Sequence, residues 1–276
     1  MPTKPGRRWR LEVGDGIGLA VEEHGDPAWP AALLGHGAGS LPSFVVKTFG
    51  PALRAAGLRL ITWHHRGHGA SSPVRDPEQT RAECYAEDVG ALLAATGARY
   101  AGGISLGAHA TARWAVTHPA EAAGLSGLLL AAPGWVGPPD AVAAANATQA
   151  DELAAIGIPA AVDRVRAGAP PWLAGEVAEW WPAHDVGSLV TILRELATTH
   201  GPTEAELAMV PVPCGVAGLQ DDPLHPVEVA RRWAAALPVA QIDEVPLAAL
   251  ADDRGALGRA ALNAWERAAG RTSASR

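Results

Sequence analysis

Short aliphatic segments alternate with longer alanine-rich segments along the first half of the chain, and this alternation constrains the fold more than any other feature. The short apolar runs suit buried strands, whereas the longer segments carry the residue spacing of helices. Such alternation predicts βαβ units and a mostly parallel sheet flanked by helices. The strands predicted in this half span residues 9–13, 18–23, 31–35, 58–63, 100–104 and 125–131.

The pattern changes between residues 133 and 211, where alanine-rich helical sequence is interrupted by prolines and shows no strand-like alternation. Strand-like runs return at 214–218 and 239–245, with helices predicted between and after them. We therefore expect an α/β core, a helical cap inserted into it, and a disordered tail. The core comprises residues 1–132 and 212–270, the cap residues 133–211, and the tail residues 271–276.

Composition narrows the class of protein. With 48% hydrophobic and 18% charged residues, the chain can bury a large core. Its net charge of −7 and scattered arginines argue against a nucleic-acid partner. The sequence has no apolar run long enough for a membrane span, so we expect a cytoplasmic protein without a membrane partner. The two cysteines, Cys84 and Cys214, have no spacing that suggests a disulfide framework or a zinc site.

The strongest local motif is Gly103-Ile104-Ser105-Leu106-Gly107, which lies where a predicted strand meets a predicted helix. A serine on such a sharp turn needs small neighbours, and its hydroxyl then projects above the sheet at the start of the helix. An incidental Gly/Ser turn is the structural alternative, but the strand-to-helix context favours a nucleophile. Ser105 is therefore the predicted nucleophile.

A second glycine-rich segment, Gly35-His36-Gly37-Ala38-Gly39-Ser40, follows the third predicted strand. Such a turn can direct a backbone N–H toward the same point as the serine turn. We expect the amides of Ala38 and Leu106 to form an oxyanion hole. His36 is interpreted as a side chain that braces the loop rather than as a base.

Together with the segment Arg66-Gly67-His68-Gly69-Ala70-Ser71, these motifs resemble those of the α/β-hydrolase family over the whole chain. The resemblance implies an eight-stranded, mostly parallel sheet, a helical cap after the sixth strand and no cofactor. It also implies that the histidines around Arg66 belong to a packed turn, so no metal is expected.

The resemblance places the acid of a catalytic triad after the seventh strand, where Asp221 and Asp222 are adjacent. We assign the acid to Asp221 and a capping or turn role to Asp222. The family carries its histidine base after the eighth strand, but residues 243–253 contain none, and Leu247 lies near the expected position. His225 is the best-placed substitute, because it shares the loop of the acid.

Three interpretations of the missing histidine remain open: a substitute base at His225, non-hydrolytic lyase or isomerase chemistry, or ligand binding without catalysis. We favour a serine hydrolase of carboxylesterase type that acts on a small or medium-sized apolar ester, thioester, lactone or amide. Candidate substrate-binding residues are the tryptophans of the predicted cap, although each of them also suits a core position. These are Trp135, Trp172, Trp180 and Trp181.

Overall fold

A single eight-stranded sheet forms the centre of the computed structural model, which describes residues 6–270. The strand order is β1-β2-β4-β3-β5-β6-β7-β8; β2 pairs antiparallel with β1 and β4, and all other pairs are parallel. The predicted eight-stranded, mostly parallel architecture is thus confirmed. The strands are β1 Arg7–Glu12, β2 Gly18–His24, β3 Ala31–Gly35, β4 Arg59–Trp63, β5 Tyr100–Ile104, β6 Gly127–Ala131, β7 Cys214–Gln220 and β8 Ala240–Pro246.

Helices cover both faces of this sheet. The helices are α1 Pro42–Ala55, α2 Ala82–Thr96, α3 Leu106–Thr117, α4 Pro119–Ala122, α5 Ala141–Gly168, α6 Pro171–Trp180, α7 Val186–Leu196, α8 Glu204–Leu207, α9 Val227–Ala236 and α10 Gly255–Ala268. Short 3₁₀ helices span Gly14–Gly16, Pro77–Thr80, Trp181–Ala183 and Leu247–Ala251.

The central strands are buried on both faces, which explains their continuous apolar sequence. In β6, Leu128 and Leu130 pack with α2, α3 and α9, whereas Leu129 and Ala131 pack with α1 and α10. Side chains that alternate along a strand point to opposite faces, so one strand contributes to two separate hydrophobic clusters.

Between β6 and β7 the described chain forms only helices, α5 to α8, with one 3₁₀ turn. α5 is interrupted at Gly157, whose φ of 72° and ψ of 169° lie outside the helical region. Glycine tolerates this conformation without a steric penalty. The tail predicted at residues 271–276 lies outside the described residues.

Within residues 6–270, no helix combines the length and the apolar character needed to cross a bilayer.

Candidate active site

Ser105 lies at the turn between β5 and α3 with φ of 51° and ψ of −111°, a rare backbone conformation for a residue with a side chain. Its neighbours explain why the turn is possible: a Cβ atom on Gly103 or Gly107 would clash with the carbonyl oxygen of Gly35. The end of β3 therefore packs directly against the turn. Strain of this kind costs about 1–3 kcal/mol and is typical of functional sites.

The hydroxyl of Ser105 meets an imidazole that comes from 120 residues further along the chain. His225 Nε2 lies 3.0 Å from Ser105 Oγ, and His225 Nδ1 lies 2.8 Å from Asp222 Oδ2. With the Nδ1 proton donated to Asp222, Nε2 is left to accept a proton from the serine. Serine, histidine and carboxylate thus form one continuous hydrogen-bonded chain.

The carboxylate in this chain belongs to Asp222, so the assignment of the acid to Asp221 does not agree with the structure. Asp221 is exposed and occupies the turn itself, with φ of 62°. The turn directs the next side chain, that of Asp222, toward His225. The turn role expected for Asp222 is present as well, because its Oδ1 accepts a hydrogen bond from the amide of Leu224 at 2.9 Å.

The electrostatics of the pair favour an ionised carboxylate. Burial alone would raise the pKa of Asp222, but the hydrogen bond and the charge of a protonated His225 outweigh it, so this pKa lies below its ordinary value. The side chain of Asp222 is 10% exposed and that of His225 is 21% exposed. A buried anion of this kind stabilises a positive charge on the imidazole that it contacts.

A second histidine, His109, lies near His225 and was not singled out from the sequence. It stands one turn after Ser105 on α3, and this i, i+4 spacing was the available signal. Its Nε2 accepts a hydrogen bond from the amide of Gly134 at 3.1 Å. Burial lowers the pKa of His109 to about 3, with smaller contributions from His225 and Arg113. His109 is therefore a neutral side chain that lines the site.

The two residues predicted to form an oxyanion hole, Ala38 and Leu106, both line the cavity that contains Ser105. Leu106 begins α3, and a Cβ atom on Gly37, next to Ala38, would lie 3.4 Å from Ser105 Cβ. Among residues 6–270, no acceptor is hydrogen-bonded to the N–H of Ala38 or of Leu106. Both N–H groups are thus without a hydrogen-bond partner in the described part of the chain.

The loops around the site are held by a cluster of buried, neutral histidines. His36 Nδ1 donates to Gly37 O at 2.7 Å and its Nε2 accepts from the amide of His65 at 3.1 Å. His68 Nε2 accepts from the amide of Gly39 at 3.0 Å. Burial holds the pKa of His36 and of His68 well below the ordinary value. His36 therefore braces the loop.

No set of three or more potential metal ligands occurs in the described part of the chain.

The place where the resemblance expects a histidine is apolar. β8 ends at Pro246, and the 3₁₀ helix that follows directs Leu247 and Leu250 to a cavity that also contains Ser105. This cavity has a volume of about 590 Å³, and residues of α5, α6 and α7 contribute to its lining. Trp135, Trp172, Trp180 and Trp181 all line it.

The sequence profile of a family described as serine aminopeptidase, S33, matches residues 21–168, more than half of the chain. No curated protein matches the sequence.

Solved structures with a similar fold include several hydrolases. A carboxylesterase from the thaumarchaeon Nitrososphaera gargenis superposes with a TM-score of 0.73 at 16% identity, covering 86% of this chain and 89% of that one. A hydrolase from Pseudomonas aeruginosa superposes with a TM-score of 0.71 at 22% sequence identity, and the match covers 94% of this chain and 98% of that one. The enol-lactonase from Burkholderia xenovorans superposes with a TM-score of 0.68 at 20% sequence identity, and the match covers 84% of this chain and 89% of that one. At these identities the similarity shows a common fold.

Proposed function

The chain belongs to the serine aminopeptidase S33 family of α/β-hydrolases, and on that premise we propose that it is a serine hydrolase with Ser105 as nucleophile. The observation that carries the proposal is the hydrogen-bonded chain from Ser105 Oγ through His225 to Asp222, with distances of 3.0 and 2.8 Å. A serine hydroxyl is a weak nucleophile at neutral pH unless an adjacent base accepts its proton. His225 is in position to do so.

In the proposed first step, Ser105 Oγ attacks the carbonyl carbon of the substrate while its proton moves to His225 Nε2. The amides of Ala38 and Leu106 bind the resulting oxyanion, and the N-terminus of α3 adds a favourable dipole. Asp222 keeps the imidazole in the required tautomer and stabilises its positive charge. His225 then protonates the leaving alcohol, thiol or amine, and an acyl-enzyme remains.

In the second step, a water molecule loses a proton to His225 Nε2 and attacks the acyl carbon. Collapse of this intermediate releases the carboxylic acid, and Ser105 regains its proton from His225. The imidazole of His225 must be neutral to accept a proton in either step.

The substrate we propose is a small or medium-sized, mostly apolar ester, thioester, lactone or amide. A cavity of about 590 Å³ with several indole rings in its wall favours this size and polarity. The similarity in fold to a carboxylesterase and to an enol-lactonase supports the same range of acyl compounds.

The alternatives of non-hydrolytic chemistry and silent ligand binding were raised by the absence of a histidine after β8. His225 supplies an imidazole within hydrogen-bond distance of Ser105, which favours the hydrolase.

Fluorophosphonate labelling, followed by mass spectrometry of the labelled peptide, tests the proposal. We expect covalent modification of Ser105 and turnover of short-chain p-nitrophenyl esters, with neither in Ser105→Ala. An intact fold without labelling or turnover would contradict the hydrolase and support a silent member of the fold.

A further inference from the structure

The turn that carries Ala38 lies against the nucleophile. A Cβ atom on Gly37 would lie 3.4 Å from Ser105 Cβ and 4.0 Å from Ser105 Oγ. The amide of Ser40 donates to the carbonyl oxygen of Gly37 at 3.1 Å and closes a four-residue turn. We call the turn from Gly37 to Ser40 the oxyanion turn, because the proposed mechanism uses the amide of Ala38. Its third residue, Gly39, has φ of 67°, a conformation that favours glycine at this place in a turn.

Both backbone groups of Gly39 are bonded to imidazoles. Its N–H donates to His68 Nε2 at 3.0 Å, and its carbonyl oxygen lies 3.1 Å from His184 Nε2. His68 comes from the loop after β4, whereas His184 comes from the segment inserted between β6 and β7. The two peptide groups that flank Gly39 are therefore each fixed by one imidazole, and one of these imidazoles lies 145 residues away in sequence.

The hydrogen bonds of His184 define one tautomer of its ring. His184 Nδ1 accepts from the amide of Gly69 at 3.0 Å, so the ring proton lies on Nε2 and is donated to the carbonyl oxygen of Gly39. Burial lowers the pKa of His184, so the ring is neutral at pH 7. One imidazole thus connects the loop after β3 with the loop after β4.

The inserted segment packs on the oxyanion turn around this bond. His184 follows the 3₁₀ helix Trp181–Ala183 directly and is 7% exposed. A Cβ atom on Gly39 would lie 3.3 Å from Trp181 Nε1 and 3.7 Å from Leu189 Cδ1. Contacts this close restrict the movement of the turn, so its position depends on the inserted segment.

We propose that His184 is a positioning residue for the oxyanion hole: by donating to Gly39 from the inserted segment, it fixes the turn that carries the amide of Ala38. The proposal rests on the proposed hydrolase function and gives the inserted segment a role in the chemical step in addition to lining the cavity. Oxyanion donors act on charge that develops in the transition state, so a displaced turn lowers kcat and leaves binding of the substrate largely unchanged.

Three substitutions at His184 separate its two hydrogen bonds. The amide of His184→Gln can accept from Gly69 and donate to Gly39, whereas the shorter amide of His184→Asn reaches only Gly69, and His184→Leu forms neither bond. For a p-nitrophenyl ester, we expect His184→Gln to keep kcat within about threefold of the wild type. His184→Asn and His184→Leu should lower kcat by roughly 10- to 100-fold, with KM changed less than about threefold. If His184→Leu does not fold, His184→Asn still decides, because it keeps the bond to Gly69.

Ser188→Ala is the matched control for attachment of the inserted segment. Ser188 is fully buried, and its hydroxyl accepts from the amide of Val74 at 3.0 Å and donates to the carbonyl oxygen of Val74 at 3.1 Å. Both residues lie outside the cavity lining. We expect Ser188→Ala to lower the melting temperature by several degrees and to keep kcat within about twofold of the wild type. A loss of kcat in Ser188→Ala as large as in His184→Asn would overturn the proposal.

A trifluoromethyl ketone reports on the oxyanion hole without turnover. Ser105 Oγ bonds to its carbonyl carbon, the Oγ proton moves to His225, and the carbonyl oxygen becomes the anion. We expect His184→Asn to raise the inhibition constant of the ketone by about the factor by which it lowers kcat. Calorimetry should show that Ser105→Ala binds the intact ester equally well, within about twofold, with and without His184→Asn.

The outcomes distinguish this proposal from the hydrolase function on which it rests. Hydrolysis by the wild type, with kcat and the inhibition constant unchanged in His184→Asn, would overturn the role of His184 alone. Neither labelling of Ser105 nor hydrolysis in the wild-type protein would overturn the proposed function, and the role of His184 with it.

Discussion

His225 and the buried histidines beneath the site show how the same residue type serves two purposes in one molecule. His225 faces a cavity, has a carboxylate on Nδ1, and directs Nε2 at a hydroxyl. His36 and His68 are fully buried, and both nitrogens of each ring bond to backbone groups. The difference lies in the partners of the ring: a carboxylate prepares a base, whereas backbone partners on both sides turn imidazole into a structural brace.

The largest expected effect comes from removing either Ser105 or the histidine that contacts it. Ser105→Ala and His225→Ala should each lower kcat/KM for a p-nitrophenyl ester by roughly 10⁴-fold, because either change removes the activated nucleophile. Thermal unfolding should change little. His118→Ala, a histidine outside the cavity, is the matched control and should retain full activity. A His225→Ala protein as active as the wild type would show that another group is the base.

Substitution of the two adjacent aspartates tests which carboxylate acts on His225. Asp222→Asn should reduce kcat by roughly 10³-fold, since the amide cannot stabilise the imidazolium and favours the wrong tautomer. Asp221→Asn should stay within about twofold of the wild type, as an exposed turn residue. The reverse ranking of the two variants would restore the original assignment of the acid to Asp221.

The pH dependence of stability probes two histidines that follow β4 directly, His64 and His65. Burial lowers the pKa of His65 to about 3 and that of His64 to about 4, from 6.5. Below pH 6.5 the unfolded chain binds protons that the native protein excludes, so stability is complete above this pH and is lost toward the lower native pKa values. Each such group contributes at most about 1.4 kcal/mol per pH unit. Urea unfolding between pH 7 and 5 should show this decline, and a flat profile would contradict the neutral state of these two histidines in the native protein.

Removing one buried histidine of this cluster, His65, should lower the stability of the protein more than its activity. His65 is fully buried and its Nε2 donates to the carbonyl of His36 at 3.0 Å. His65→Ala should lower the free energy of unfolding by about 2–4 kcal/mol, through a cavity and an unpaired carbonyl. Denaturant titration measures this loss. If activity fell by orders of magnitude with stability unchanged, the cluster would have a catalytic role instead.

The smallest expected effect concerns the segment after β8. Leu247→His places an imidazole where the family resemblance expects one, yet Ser105 already has a partner in His225. We expect kcat for an apolar p-nitrophenyl ester to change by less than about threefold. Steady-state kinetics of this variant, alone and combined with His225→Ala, measure the effect. A large gain in the single variant would mean that His225 is a poor base.

Sequence determined those features whose cause is local. Strands, helices and the Ser105 turn follow from side-chain periodicity and from the glycines two residues before and after Ser105. The break in α5 similarly follows from Gly157 and the proline two residues later. A short stretch of chain imposes each of these features, so the sequence suffices to find them.

The sequence favoured His225 as a substitute base but left two other interpretations open. Only the tertiary structure showed that His225 meets Ser105 and which of two adjacent aspartates meets that histidine. Neighbouring side chains diverge by an angle set by the backbone at the turn, and the φ of 62° at Asp221 places its neighbour in the site. Apart from the four tryptophans named from the sequence, most of the residues that line the cavity could not be predicted, because elements far apart in the chain supply them. Local sequence specifies local dihedral preferences, whereas a site depends on the packing that brings distant segments together.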